Sequence, residues 1–147
     1  MTVRLTVPPR LRQLPRIDSR LLRSRAVRVL KKVGQSNSEL SIAIVLDDEI
    51  AALNSEHRGM RFATDVLSFS LLEGAHSDQR GELLGDVVIG IETAARQARV
   101  AHRGLDEEVA KLLIHGILHL LGWNHEESAE AKLMRAEERR LWRAIRP

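Results

Sequence analysis

Three histidines fall within the run His115-Gly116-Ile117-Leu118-His119-Leu120-Leu121-Gly122-Trp123-Asn124-His125. On a helix, positions 115 and 119 are one turn apart and project from the same face, so both imidazoles can reach one metal ion. Gly122 is a natural helix terminator, free to take positive φ, and the turn it permits can swing His125 back toward the pair. Three ligands leave one coordination position open, which suits a catalytic zinc site that must admit water or substrate. Gly116 sits mid-helix, where glycine costs about 1 kcal/mol relative to alanine, so something is expected to approach the backbone closely there. It also separates the run from metalloproteases with two helical histidines, which carry a glutamate base directly after the first. His57, His76 and His102 have no partner at metal spacing and read as ordinary loop or helix-end residues.

The remaining composition narrows the chemistry. The 147 residues include no cysteine, which leaves histidine and carboxylate as the strong metal ligands and is compatible with a reducing cytoplasm. Arginine and prolines interrupt the first ten residues before any secretory apolar run forms. The longest apolar stretch, Leu112 to Trp123, is too short to span a bilayer. The expectation is a soluble, cytoplasmic protein without a membrane partner, folded as one domain over 1–147 with the basic segment 1–32 included. Of the 23 Lys and Arg, ten lie in residues 1–32, against a single acid, Asp18. Such asymmetry suits a phosphate backbone, where each neutralised contact releases counterions, so Arg10 to Lys32 is the candidate RNA-docking face. With two Phe, two Trp and no Tyr, base stacking cannot be the main grip.

Periodicity supplies the frame. Val3, Leu5 and Val7 alternate as a short strand, and apolar residues recur at helical spacing from about Arg16 to Val33. Glu39 to Leu46 reads as a strand, with Asp47 as cap of a helix from Glu49 to His57. A loop from Arg58 leads to a strand at Val66 to Leu71. After an exposed connection, Glu73 to Glu82, comes a strand at Leu84 to Ile91, expected antiparallel to its predecessor because no crossover helix intervenes. Helix is expected from Glu92 to His102, then again from a cap at Asp106, with Val109, Leu112, Leu113, Gly116, Ile117 and Leu120 as its core stripe and the histidines half-buried at its edge. A last helix, Ser128 to Ile145, is expected to turn Leu133, Leu141 and Ile145 inward. The fold class is α+β: a small mixed four-stranded sheet with about five helices, strands one and two parallel, and the three-histidine metal site at the end of a central helix.

The histidine run, together with Asn54-Ser55-Glu56-His57-Arg58-Gly59, Thr64-Asp65-Val66-Leu67-Ser68-Phe69 and Leu84-Gly85-Asp86-Val87-Val88-Ile89, resembles the YbeY family of bacterial rRNA maturation endoribonucleases. The resemblance implies a single-strand-specific, metal-dependent endoribonuclease of the cytoplasm. It would work with the ribosome on the 3′ end of the small-subunit rRNA and in ribosome quality control. It also implies His115, His119 and His125 as ligands of one zinc ion, with Arg58 as a catalytic arginine near the metal. The chain departs from the family pattern at Trp123 and Asn124, where tyrosine and aspartate are usual; asparagine keeps a hydrogen bond but brings no negative charge. It departs also at Met60, where lysine is common, and at Ser70, where proline is common.

In this reading zinc would lower the pKa of bound water and polarise a phosphoryl oxygen, while Arg58 would stabilise charge on the phosphate. The general base stays open among the hydroxide, the RNA 2′-hydroxyl, Asp65 and Asp86. Two rival functions remain: a non-catalytic, zinc-stabilised ribosome assembly factor, and a metal-dependent hydrolase of another substrate.

Overall fold

The structure is a computed structural model, and the residues described are 2–8, 16–59, 63–70, 83–124 and 127–147. Among them nine elements run in the order β1 (Thr2–Thr6), α1 (Ser19–Lys32), β2 (Glu39–Val45), α2 (Asp47–Arg58), β3 (Val66–Ser70), β4 (Leu83–Gly90), α3 (Ile91–Val100), α4 (Leu105–Leu120) and α5 (Ser128–Ile145). The strands form one sheet in the order β1-β2-β4-β3. β1, β2 and β4 are mutually parallel, and β3 pairs antiparallel with β4, Val66 opposite Ile89. The expected four-stranded mixed sheet and five helices are therefore present.

Side-chain alternation gives the sheet two different faces. Leu40, Ile42 and Ile44 of β2 and Val87 and Ile89 of β4 join the main core with α1, α4 and α5. Their neighbours Val45 and Val88, with Leu67 of β3, pack on the other face beneath Ile50 of α2. α4 lies in the middle of the main core. From Glu107 onward every residue of it is buried except Glu107, Lys111, His115 and His119, which recur four apart as one partly open stripe.

Several local expectations need correcting. α1 begins at Ser19, not Arg16, because the Asp18 carboxylate accepts the Leu21 N–H and caps it there. Asp47 is the first residue of α2 rather than its cap; its carboxylate accepts hydrogen bonds from Thr93 and Arg96 of α3, while Glu92 accepts the Asp47 N–H. Asp106 likewise lies inside α4, where it accepts the Asp18 N–H and ties the start of α1 to the start of α4. In α5, Leu141 and Ile145 are buried as expected, but Met134 takes the inward place expected of Leu133, which is 64% exposed. Two cations of the basic segment also bind other helices. Arg25 is buried beside the Trp142 ring and donates to the Asp106 carbonyl. The Arg28 guanidinium donates to the Ala144 and Ile145 carbonyls at the end of α5, where cations complement the helix dipole.

Burial alone would raise the Asp47 pKa, but the hydrogen bonds from Arg96 and Thr93 and the Arg96 charge outweigh it and hold the carboxyl below its ordinary 3.8. A depressed carboxylate adds stability above its unfolded pKa and loses it as pH falls through the folded one. Asp47→Asn should therefore lower the thermal midpoint at pH 7, and the gap to the parent should close as the pH is taken below 3.8. Thermal unfolding of both proteins across that range checks this; an equal gap at pH 7 and in acid would assign the loss to packing instead.

Candidate metal centre

The open stripe of α4 ends in the two histidines, and their rings meet. Nε2 of His119 lies 3.0 Å from Nε2 of His115, with ring centroids 4.5 Å apart in an edge-on arrangement. Tetrahedral zinc with Zn–N bonds of about 2.0–2.1 Å places two nitrogens roughly 3.3 Å apart, so the pair matches a shared ion after a small adjustment. The other ring nitrogen of His115, Nδ1, is 3.3 Å from Oε1 of Glu138 on α5. Both side chains are about a quarter exposed, at 27% and 28%. A carboxylate can only accept, so that contact keeps a proton on Nδ1 and turns Nε2 toward His119.

The turn expected after His119 is present. Gly122 takes φ 97°; its N–H bonds the His119 carbonyl at 3.0 Å, and the Trp123 N–H bonds the Leu118 carbonyl at 3.0 Å. This paired closure is a Schellman motif, which ends the helix and reverses the chain. His125 lies outside the described residues. Among the described residues, no three His, Cys, Asp or Glu side chains converge on one point; the described donors that face each other are the His115 and His119 Nε2 atoms.

The expected close approach at Gly116 is also found. A Cβ there would lie 2.8 Å from a Val87 methyl and 3.1 Å from the Ser68 hydroxyl, and that hydroxyl donates to the Gly116 carbonyl at 3.0 Å. Glycine at 116 lets α4 settle onto β3 and β4 one residue past the first histidine.

The other candidates fall elsewhere. Arg58 closes α2, the helix whose Ile50 packs on the face of the sheet opposite α4. Asp86, opposite Phe69 and Ser41, opens onto that same second face, in a groove shared with Arg4, His57 and Phe69. The structure therefore brings the two described histidines together but does not bring Asp86 to them. Asp65 accepts from Gln97 and Thr64. His57 packs its ring on Phe69 at 4.8 Å, and His102 sits exposed at the end of α3 with φ 54°. His76 lies outside the described residues. Glu138 is not among the residues that the sequence singles out, although its spacing carries a signal: it falls at the 4-3-4 spacing of the buried Met134, Leu141 and Ile145, with its side chain half-buried.

Comparison with known proteins assigns the family. The family model for Endoribonuclease YbeY matches residues 12–146. The chain belongs to the YbeY family. It is 48% identical over 145 residues to Endoribonuclease YbeY of Anaeromyxobacter sp. (strain Fw109-5), covering 98% of this chain and 72% of that protein. The YbeY endoribonuclease of Anaeromyxobacter dehalogenans (strain 2CP-C) is 48% identical over 126 residues, covering 86% of this chain, which spans 64% of that relative. The solution structure of TM1509 from Thermotoga maritima superposes with a TM-score of 0.66 at 26% identity, covering 98% of this chain and 89% of that one.

Gly116→Ala should gain helix propensity of about 1 kcal/mol yet be net destabilising by about 1–2 kcal/mol, because the added methyl meets a buried β-branched side chain. Urea unfolding of the metal-free variant measures this; a net gain in stability would show that Val87 can move aside.

Proposed function

We propose that this chain is a zinc-dependent endoribonuclease acting on single-stranded RNA, its reaction centre built on His115, His119 and His125. The observation that carries the reading is the pair of facing imidazoles at the open end of a central helix, followed at once by a chain-reversing turn, in a YbeY chain. Its role is rRNA maturation, with the 3′ end of the small-subunit rRNA as substrate, and ribosome quality control, within one domain over 1–147. That substrate places its work in the cytoplasm, and among the described residues no helix is long and apolar enough to cross a membrane.

Zinc, when bound, supplies Lewis acidity toward a phosphoryl oxygen and makes water a competent nucleophile near neutral pH. The chain's own residues do the rest. The Nε2 atoms of His115 and His119 face each other from a rigid helix buried on its other sides, and each would give its lone pair to a shared zinc ion. Arg58 is assigned to the scissile phosphate, where a planar and permanently charged guanidinium stabilises developing charge. Because β3 is an edge strand, an RNA strand laid over that edge would meet α4 on one side of the sheet and the end of α2 on the other.

For docking, the exposed cations among the described residues of Arg10 to Lys32 are Arg16, Arg20, Arg23, Lys31 and Lys32, beside Arg28 whose guanidinium is engaged with α5. Arg20, Arg23, Arg28 and Lys31 line one groove between α1 and Leu5 of β1, a shape that lets several cations follow one phosphate backbone. Arg10 and Arg12 lie outside the described residues.

Cleavage of a labelled single-stranded RNA carrying a small-subunit 3′ end is the test. His115→Ala and chelation should each abolish cutting, with added zinc restoring only the chelated parent. Arg58→Ala should keep its metal and lose at least about 100-fold in rate, the scale of one missing transition-state donor. A folded, zinc-loaded parent that binds ribosomes without cutting would instead identify an assembly factor. Replacing Arg20 and Arg23 with glutamine should weaken RNA binding and reduce the slope of log K against log salt by about 0.7 for each phosphate no longer neutralised; an unchanged slope would remove α1 from the RNA interface.

A further inference from the structure

We propose that Glu138 is the positioning residue of the metal centre: its carboxylate holds the His115 ring so that Nε2, not Nδ1, is offered to the ion. The inference rests on the metal-site reading above and adds to it a residue from a different helix. Three observations carry it. First, Glu138 Oε1 accepts from Nδ1 of His115 at 3.3 Å, while Nε2 of the same ring faces His119. The two nitrogens lie on different edges of the imidazole, so this carboxylate is directed away from the metal locus and acts on the ion only through the ring. Second, Glu138 is half-buried on the stripe of α5 that carries the buried Met134 and Leu141, so its carboxylate is held on the side of α5 that faces α4. Third, α5 runs alongside the open stripe of α4 in a fixed register: Trp142, one turn after Glu138, lies over Lys111, one turn before His115.

A hydrogen bond of this kind fixes both tautomer and ring orientation and raises ligand basicity, and its loss typically weakens metal affinity 10- to 100-fold. The neutral Gln side chain can still accept the Nδ1 proton through its amide oxygen, whereas Ala and Leu cannot.

The experiment is zinc affinity by competition with a chromophoric chelator, on the full chain and its Glu138→Gln, Glu138→Leu, Glu138→Ala and His115→Ala variants. Thermal unfolding of the metal-free proteins is run alongside. Glu138→Leu fills the stripe and should unfold no earlier than the parent, yet bind zinc about 10- to 100-fold more weakly, as Glu138→Ala does, with Glu138→Gln restored to within a few-fold of the parent. His115→Ala should lose the site outright. Parent-like zinc affinity in both Glu138→Leu and Glu138→Ala would overturn the assignment while leaving the metal site intact, since His115→Ala would still lose it. A parent protein that binds no zinc would overturn the metal-site reading and the positioning role together.

Discussion

The contact on which the rest depends is the descent of α4 onto the sheet at Gly116. Val87 and Ser68 come so near the helix backbone that no side chain larger than hydrogen fits without movement. The Ser68 hydroxyl then bonds the Gly116 carbonyl from the strand side. A second glycine, Gly85 of β4, accommodates the same helix from below, for a Cβ there would lie 2.8 Å from a Leu120 methyl carbon. With a helix pressed so closely on the sheet and flanked by α1, α3 and α5, a single stripe is left partly open. Two histidines at the end of that stripe lie one helical turn apart, with their rings edge-on. The close-packed helix backbone beneath them fixes where both Cβ atoms stand.

The two-faced sheet sets the second constraint. Alternation along β2 and β4 sends Ile42, Ile44, Val87 and Ile89 to the α4 face and Val45 and Val88 to the α2 face. The histidines and the end of α2 thus belong to opposite layers, and edge strand β3 is where the two layers come to a common border. A site shared between them must work around that edge, which favours an extended ligand over a small one enclosed in a pocket.

Local and periodic features were legible in the sequence, and long-range polar partnerships were not. Spacing of four placed His115 and His119 on one face, the glycine after the helix marked its end, and the short connection between β3 and β4 gave their antiparallel pairing. Family motifs pointed the same way. The acids at helix starts misled, because Asp47 and Asp106 look like local caps by position. Their hydrogen bonds instead go to Arg96 and Asp18, far away in the chain. Arg25 and Arg28 read as members of a basic face because net charge says nothing about burial. One is inside, against Trp142, and the other closes α5. In α5 a shift of one residue, Met134 for Leu133, hid the stripe on which Glu138 stands.

Two carboxylates break the inward pattern of their helices, and they do so for different physical reasons. Glu108 is 8% exposed and its pKa is raised by burial against the opposing charge of Arg103, whose Nε lies 3.4 Å away. It sits in the first turn of α4, where the helix dipole favours negative charge, so dipole and ion pair both offset the cost of burying it. Glu138 has neither aid. It lies in the middle of α5, away from the positive end of that helix, and its partner at 3.3 Å is an imidazole rather than a permanent cation. A half-exposed carboxylate needs no such compensation, and among the described residues the contact that Glu138 makes is the one with His115. Glu138 stands against a histidine of α4 whose second ring nitrogen faces another histidine, and Glu108, with its compensations, stands near the opposite end of α4.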